Sequence, residues 1–316
     1  MSTPVSPEPL VSVIMAARNT APFIDAAIAS IAAQTYENWE LIVIDNASTD
    51  GTTEIIRAWM AKDARIHGIF NAVSGNIASS KNKGAAAATG TYLAILDSDD
   101  LALPERLKKQ VEYMESHTNV VLSGSAARII DETDRVLGGK TKPPSSPEMR
   151  FAMLLQSQCI NSSMIFRADA FRKIGGFDAA SAAEDYDIAC RLQALGQIDN
   201  LPEQLISYRV RAASWTHASD TKQAHVRDSL AVTMRNILPY IRREPHEILN
   251  LTDALNLKPL GLPKIMRALG IYRTLTLSYQ TVNRLAGAER RRILSVYRRG
   301  VHSVFVGYVK RIMHRS

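Results

Sequence analysis

Asp97-Ser98-Asp99-Asp100 holds the densest chemistry of this 316-residue chain. It follows directly on an apolar run, Thr91-Tyr92-Leu93-Ala94-Ile95-Leu96, that reads as a buried strand. Carboxylates are poor strand formers and costly to bury, so three of them at the exit of such a strand call for a reason. In open α/β sheets, ligands bind outside the carboxyl ends of the strands. A carboxylate group there suits a hard divalent cation that also holds substrate phosphates. Acidic strand-to-turn residues without a ligand are common too, so the stretch gains meaning only from the rest of the chain.

The elements that must position it alternate in type. Leu10 to Met15 and Glu40 to Asp45 read as strands, with a helix between them over about 21–34, capped by Asn19 or Thr20 with Pro22 in its first turn. A helix at about 52–62, a weaker strand at 66–70 and an alanine-rich helix at about 77–89 follow. Beyond the acidic stretch, another helix starts at Pro104, and Val120-Val121-Leu122 reads as a further strand. Repeated βα units imply a mostly parallel sheet flanked by helices, with right-handed crossovers. Residues 125–150 break the rhythm, 150–212 are mixed in type, and the pattern from about 221 onward is helical, with breaks near Pro239, Pro245, Pro259 to Pro263 and Ala286-Gly287.

Four features come in a fixed order. The first strand ends in Ala16-Ala17-Arg18-Asn19, the second in Asp45-Asn46-Ala47-Ser48-Thr49-Asp50-Gly51, and the third in the acidic stretch. Gly175-Gly176-Phe177-Asp178, followed by Ala183-Glu184-Asp185-Tyr186-Asp187, comes later. Together they resemble the nucleotide-sugar-dependent glycosyltransferases of family 2, over about residues 10–212. The resemblance implies a GT-A catalytic domain over residues 1–220, joined to a basic helical region over 221–316.

It also implies roles. Asp97 and Asp99 match the family's DxD, so Asp99 would ligate Mn²⁺ or Mg²⁺, and Asp97 would contact the ribose or the metal. Asp45 would contact the nucleoside, commonly uridine; the alternative is a capping Asp before Ser48-Thr49. Asp50 and Asp100 read as turn or cap residues, and Asp178 as a turn residue or an acceptor contact. Lys81, where the family commonly has an arginine, would face the diphosphate or else be a solvated helix lysine. Ala16, Arg18 and Ser98 complete the donor side. Glu184-Asp185 matches the family's ED motif, with Asp185 as general base toward an acceptor hydroxyl; carboxylates favoured by a helix N-terminus are the alternative. One base and no covalent nucleophile imply a single displacement with inversion.

The chain departs from the family twice. Ala17-Arg18-Asn19 replaces a hydroxyl and an aromatic residue near the nucleotide. Arg211 stands where many members have a His; it could pair with a diphosphate but could not ligate a metal. His217, six residues on, is either a substitute ligand or a surface-loop residue.

Composition narrows the rest. Cys159 and Cys190 are the only cysteines and lack metal-ligand spacing, which points to a reducing compartment, with Cys190 in the core. Met1 to Leu10 has no signal-peptide pattern and no apolar run is long enough to span a bilayer, so a cytosolic protein is expected. There is no G-x-x-x-x-G-K-[ST], G-x-G-x-x-G or G-x-S-x-G. Residues 221–316 hold 18 Lys+Arg against 5 Asp+Glu, a formal charge of +13, and the first 220 residues carry −6. Within 288–315 the apolar residues at 293, 297, 301, 304, 305, 308 and 312 form one helical stripe. Such a helix either lies on an anionic membrane, fitting a lipid-linked saccharide acceptor, or packs on the catalytic domain. With no reader motif or stacking platform, nucleic acid is not an expected partner. Two other classes stay open: a sugar nucleotidyltransferase, and a non-catalytic membrane-associated scaffold of the same fold.

Overall fold

The structure, a computed structural model, describes residues 8–211, 219–256, 258 and 260–313. Its elements run β1 Val11–Ala17, α1 Ala21–Ala32, β2 Trp39–Asp45, α2 Thr52–Lys62, β3 Ile66–Phe70, α3 Ile77–Ala87 and β4 Tyr92–Ile95. There follow β5 Leu101–Ala102, α4 Arg106–Ser116, β6 Val120–Ile130, β7 Val136–Lys140 and α5 Pro147–Ala152. After a single 3₁₀ turn at Asn161–Ser163 come β8 Ile165–Arg167, α6 Ala168–Lys173, α7 Glu184–Leu192 and β9 Gln197–Arg209. Four helices close the chain: α8 Ser219–Ile237, α9 Pro245–Leu255, α10 Leu262–Val282 and α11 Gly287–Met313.

The chain divides into two compact units, residues 1–144 with 159–222, and residues 145–158 with 223–316. The sequence pattern gives no sign of the excursion of 145–158 out of the first unit. Its carrier is the apolar trio Phe151, Leu154 and Leu155, which belongs to the core of the helical unit.

The first unit is a nine-stranded sheet in the order β3-β2-β1-β4-β8-β6-β9-β5, with β7 on β6. The β3-β2-β1-β4 half is parallel, and β8 runs antiparallel to both β4 and β6. β1, β2 and β4 of that half are buried on both faces, which is why Val13 to Met15 and Leu41 to Ile44 read as continuous apolar runs. The chain winds out from β1 in both directions, so the β1/β4 boundary is a switch point where carboxyl ends leave a crevice. Register puts Ala17 opposite Asp45 and Ile14 opposite Ile95, so the first three motifs leave the sheet at one edge.

The α1 stripe of Ile24, Ala27, Ile28 and Ile31 is fully buried, as the helical spacing requires. Its N-cap is Thr20, but the side chain makes no cap hydrogen bond. The first turn is tied instead by Asp50, whose Oδ2 accepts from Ala21 N at 3.0 Å. Helix α3 lies tightly on the sheet because Gly84 faces Ile44 and Ile14; a Cβ there would stand 2.6 and 2.8 Å from their side chains. Gly84→Ala is therefore expected to cost about 1–3 kcal/mol in denaturant unfolding through overpacking. An unchanged midpoint would show that the helix floats on the sheet.

One strand runs far beyond its apolar signal. β6 continues past Leu122 to Ile130, through Ser123-Gly124-Ser125-Ala126-Ala127, small residues of weak strand preference. They are strand because β8 and β9 flank them and bury them.

In the helical unit, α5, α9, α10 and α11 share a core that includes Ile248, Leu251, Ile265, Tyr272, Leu275, Ile293 and Val304. The α11 stripe is thus used within its own unit. Ile293 and Val304 are buried, and Tyr297 and Val301 pack against the same core. These four positions are therefore not available to a membrane or to the catalytic domain, the two surfaces that the sequence offered for the stripe. Residues 305, 308 and 312 of the stripe lie outside the described side chains. No helix among the described residues is long and apolar enough to cross a membrane.

Candidate active site at the carboxyl edge of the sheet

The loops after β1 and β2 are stitched together. Asn19, at a positive φ of 51°, accepts from Thr49 N at 2.9 Å, and its own N–H donates to Ser48 Oγ at 3.0 Å. Asp45 is buried, with Oδ1 accepting from Ser48 N at 3.0 Å and Oδ2 from the Thr53 hydroxyl. Its two oxygens thus tie the loop at the rim of the crevice to the start of α2. Asp50 caps Thr52 through both its N–H and its hydroxyl. Ala16 is half-buried and Arg18 is exposed on the adjoining loop.

The acidic stretch turns directly off β4. Asp97 accepts two bonds from Asn161 Nδ2, both at 2.9 Å, and its own N–H donates to Ser162 Oγ. Ser98 is buried. Asp99 forms an ion pair with Arg211 at 2.8 Å. Asp100 is buried and accepts from Arg209 N at 2.7 Å, and Arg209 Nε donates to the carbonyl of Asp99 at 2.7 Å. The guanidinium groups of Arg209 and Arg211 lie 5.0 and 5.1 Å from the ring of Phe23 on α1. Burial, and then the charge of Asp97, push the Asp99 carboxyl above its ordinary range against the pull of Arg211.

Lys81 is neither solvated nor turned to open space. It is 1% exposed, with Nζ donating to Glu184 Oε1 at 2.9 Å and Asn161 Oδ1 at 3.1 Å. Burial works to lower the ammonium's pKa, but Glu184 and Asp97, with Asp185 behind them, raise it on balance. Asn161 is therefore a bridge, donating to Asp97 and accepting from Lys81, and it joins the third motif to the fourth. Asp185 follows Glu184 at the first turn of α7, half-buried, with Oδ1 accepting from Tyr186 N at 2.7 Å. Gly176 sits at φ 73° with Asn82 against it, and Asn82 brackets Phe177 by accepting from its N–H and donating to its carbonyl. The Gly-Gly-Phe-Asp turn thus fixes α7 to α3, and Asp178 accepts from Ala180 N as a turn residue.

Several residues here were not singled out in the sequence. Asn161 and Ser162 interrupt the apolar stretch from Cys159 to Phe166, the one signal that could have found them. Arg106 stands in the buried face of α4 with Leu107, Gln110, Val111 and Met114, an ionisable residue where only apolar ones are expected. It donates to the carbonyl of Ile95 at 2.8 Å, and burial lowers it to about 9 against the pull of Asp100 and Asp97. Gln110 accepts from Arg106 and donates to Ser163 O, so α4 holds the two segments that meet at Asp97. Lys142 is half-buried, lowered by burial and then by Lys140, with Cys159 and Asp185 pulling the other way.

Cys159 is buried and its thiol pushed up to about 12 by burial. Cys190 is half-buried rather than in the core. His217 lies outside the described residues.

The donor set suits a divalent cation. Asp97 and Asp99 offer hard oxygens, and the charge of Asp97 raises the Asp99 carboxyl, a repulsion that a cation would relieve. Among the described residues, no three His, Cys, Asp or Glu side chains are grouped to hold a metal. Two carboxylates are the protein's usual share when substrate phosphates and water supply the remaining ligands.

Comparison with known proteins adds the following. The family described as Glycosyl transferase family 2 matches residues 12–175. An uncharacterized glycosyltransferase of Haemophilus influenzae is 36% identical over 212 residues, 64% of this chain and 66% of that protein. The chain thus spans just under two thirds of that relative's length. A putative teichuronic acid biosynthesis glycosyltransferase of Bacillus subtilis, TuaG, is 38% identical over 107 residues, 34% of this chain and 42% of that one. In fold, the chain is similar to S. aureus TarS 1–349 in complex with UDP-GlcNAc, with a TM-score of 0.60 at 18% identity over 94% of this chain and 92% of that one. The mannosyltransferase PcManGT of Pyrobaculum calidifontis, in complex with GDP-Man and Mn²⁺, gives 0.60 at 17% identity over 98% and 88%.

Proposed function

Because this chain belongs to glycosyl transferase family 2 and is a glycosyltransferase, we propose that it is an inverting, metal-assisted enzyme using a nucleotide diphosphate sugar, with a UDP-sugar as the first candidate. The acceptor is a glycan or lipid-linked saccharide of a cell-surface polysaccharide. The observation that carries this reading is the bridge at Asn161, which brings Asp97 and the Lys81–Glu184 pair together, with Asp185 next in the chain. Relatives and fold neighbours of matching kind support it: TuaG is named for teichuronic acid biosynthesis, TarS was solved with UDP-GlcNAc, and PcManGT with Mn²⁺.

On this reading Ala16, Arg18, Asp45 and Ser98 line the nucleoside side of the crevice. Asp99 and Asp97 would hold Mn²⁺ or Mg²⁺, and such a cation would supply the charge neutralisation that a departing diphosphate needs. Arg211, paired with Asp99, is placed to exchange that carboxylate for a phosphate, a partner its forked guanidinium matches equally well. Lys81 and Glu184 keep Asp97 and Asp185 in register. Asp185 takes the proton of the acceptor hydroxyl as its oxygen attacks the anomeric carbon. One carbon–oxygen bond forms on one face, the bond to the diphosphate breaks on the other, and the configuration inverts.

Thermal shift against UDP, GDP, dTDP, CDP and CMP, each with and without Mn²⁺, tests the donor side. One diphosphate should stabilise the protein only with metal, and Asp99→Ala should abolish that gain. At a concentration about 100 times Kd the gain corresponds to about 2.7 kcal/mol. No response to any member at millimolar concentration would remove the basis for the donor site.

A further inference from the structure

Two arginines meet the ring of Phe23 beside the acidic stretch, and the structure uses them differently. Arg209, the last residue of β9, is committed. Its Nε donates to the carbonyl of Asp99 at 2.7 Å and its Nη1 to that of Asp131 at 2.8 Å. Its Nη2 pairs with Asp134 at 2.7 Å, and the side chain is 1% exposed. Arg211 is 18% exposed, and among the described residues its acidic partner is Asp99, with Nε 2.8 Å from Oδ2. That Nε is enclosed and makes no aligned hydrogen bond, so the contact is one of charge rather than of fitted geometry. Burial and the charge of Asp97 push the Asp99 carboxyl above its ordinary range, and Arg211 draws it back.

We infer that Arg211 is a counter-ion that makes the divalent cation and the donor's diphosphate bind as a coupled pair, each weakly by itself. The inference rests on the donor-site reading above. A cation held by Asp99 competes with the guanidinium for one carboxylate and leaves Arg211 half-buried beside a second positive charge. A diphosphate that draws Arg211 away leaves Asp97 and Asp99 without that neutralising charge. With both ligands present, the carboxylates face the cation and Arg211 faces phosphate, so every charge has a partner. The effect is reciprocal: each ligand raises the affinity for the other by the same factor. A His at this position would add a metal ligand; an arginine cannot ligate, and here it competes. Arg209 cannot take this part, because its three guanidinium nitrogens are each held.

The test is Mn²⁺ binding to the full chain without nucleotide, read from the electron paramagnetic resonance signal of the free ion. Arg211→Gln should bind Mn²⁺ about fivefold tighter than wild type or more, because the competitor is gone. By isothermal titration calorimetry the same variant should bind magnesium pyrophosphate, a diphosphate without a base, about tenfold more weakly. A purely structural role would weaken both, and a phosphate contact without competition would leave Mn²⁺ binding unchanged. Arg211→Lys, which keeps the charge, should bind Mn²⁺ as wild type does. Circular dichroism checks that each variant folds. The inference is overturned if Mn²⁺ affinity in Arg211→Gln is unchanged or lower, if Arg211→Lys gains as much as Arg211→Gln, or if neither wild type nor Arg211→Gln binds Mn²⁺. Asp99→Asn separates the two readings. Mn²⁺ binding that survives it would remove the metal site itself, whereas binding lost in Asp99→Asn and unaltered in Arg211→Gln would remove only the coupling.

Discussion

Asp185→Asn is expected to slow sugar transfer by about 10²–10⁴-fold, the usual contribution of a positioned base. The substitution keeps shape and removes the proton acceptor. Asp185 sits at the first turn of α7, and the neighbouring Lys81–Glu184 pair that holds this turn is untouched by it. Metal-dependent nucleotide binding should therefore survive. The loss should fall on kcat with the donor's KM nearly unchanged, since the interaction is made only in the transition state. Initial rates with the diphosphate sugar chosen by the nucleotide panel would decide it. Wild-type kcat in Asp185→Asn would end the general-base assignment and favour the scaffold reading.

Lys81→Met should be the most destabilising single change in the first unit. It removes the partner of a carboxylate that is itself only 7% exposed and leaves Asn161 without its donor. Breaking one side of a buried pair costs about 3–5 kcal/mol. For a unit of this size that is a fall of roughly 6–20 °C in melting temperature. Replacing both partners, Lys81→Met with Glu184→Leu, should recover much of the loss, because an apolar pair of similar volume is often neutral relative to a buried ion pair. Nucleotide affinity should not recover with it, since the link from α3 through Asn161 to Asp97 is then gone. A melting temperature unchanged in the single variant would show that Lys81 does not depend on Glu184.

Local order was legible where burial leaves a periodic trace. The β1, β2 and β4 strands are apolar runs because both faces are covered, and α1, α2 and α3 begin and end within a few residues of their expected limits. The four motifs were legible as a set, since carboxylates at strand ends stand out against apolar runs. The roles of single residues were less so. Lys81 reads the same in sequence whether solvated or buried; only its placement on the face of α3 that meets Glu184 and Asn161 decides between the two. Arg106 was missed because one cation in an amphipathic helix gives no sign of facing inward.

From the sequence alone came the family, the edge of the sheet where chemistry gathers, and the contrast of an acidic first part with a basic tail. These rest on residue type and short-range order, which the chain carries without folding. The tertiary structure decided three things that depend on contacts between distant residues. Asn161 joins Asp97 to Lys81 across 64 and 80 positions of sequence. Residues 145–158 leave the sheet unit because their apolar side chains are buried in the helical core. Ile293, Tyr297, Val301 and Val304 of the α11 stripe are spent on their own unit while α10 turns leucines and arginines outward. Periodicity shows that a helix has an apolar face, but what that face meets is set by neighbours far away along the chain.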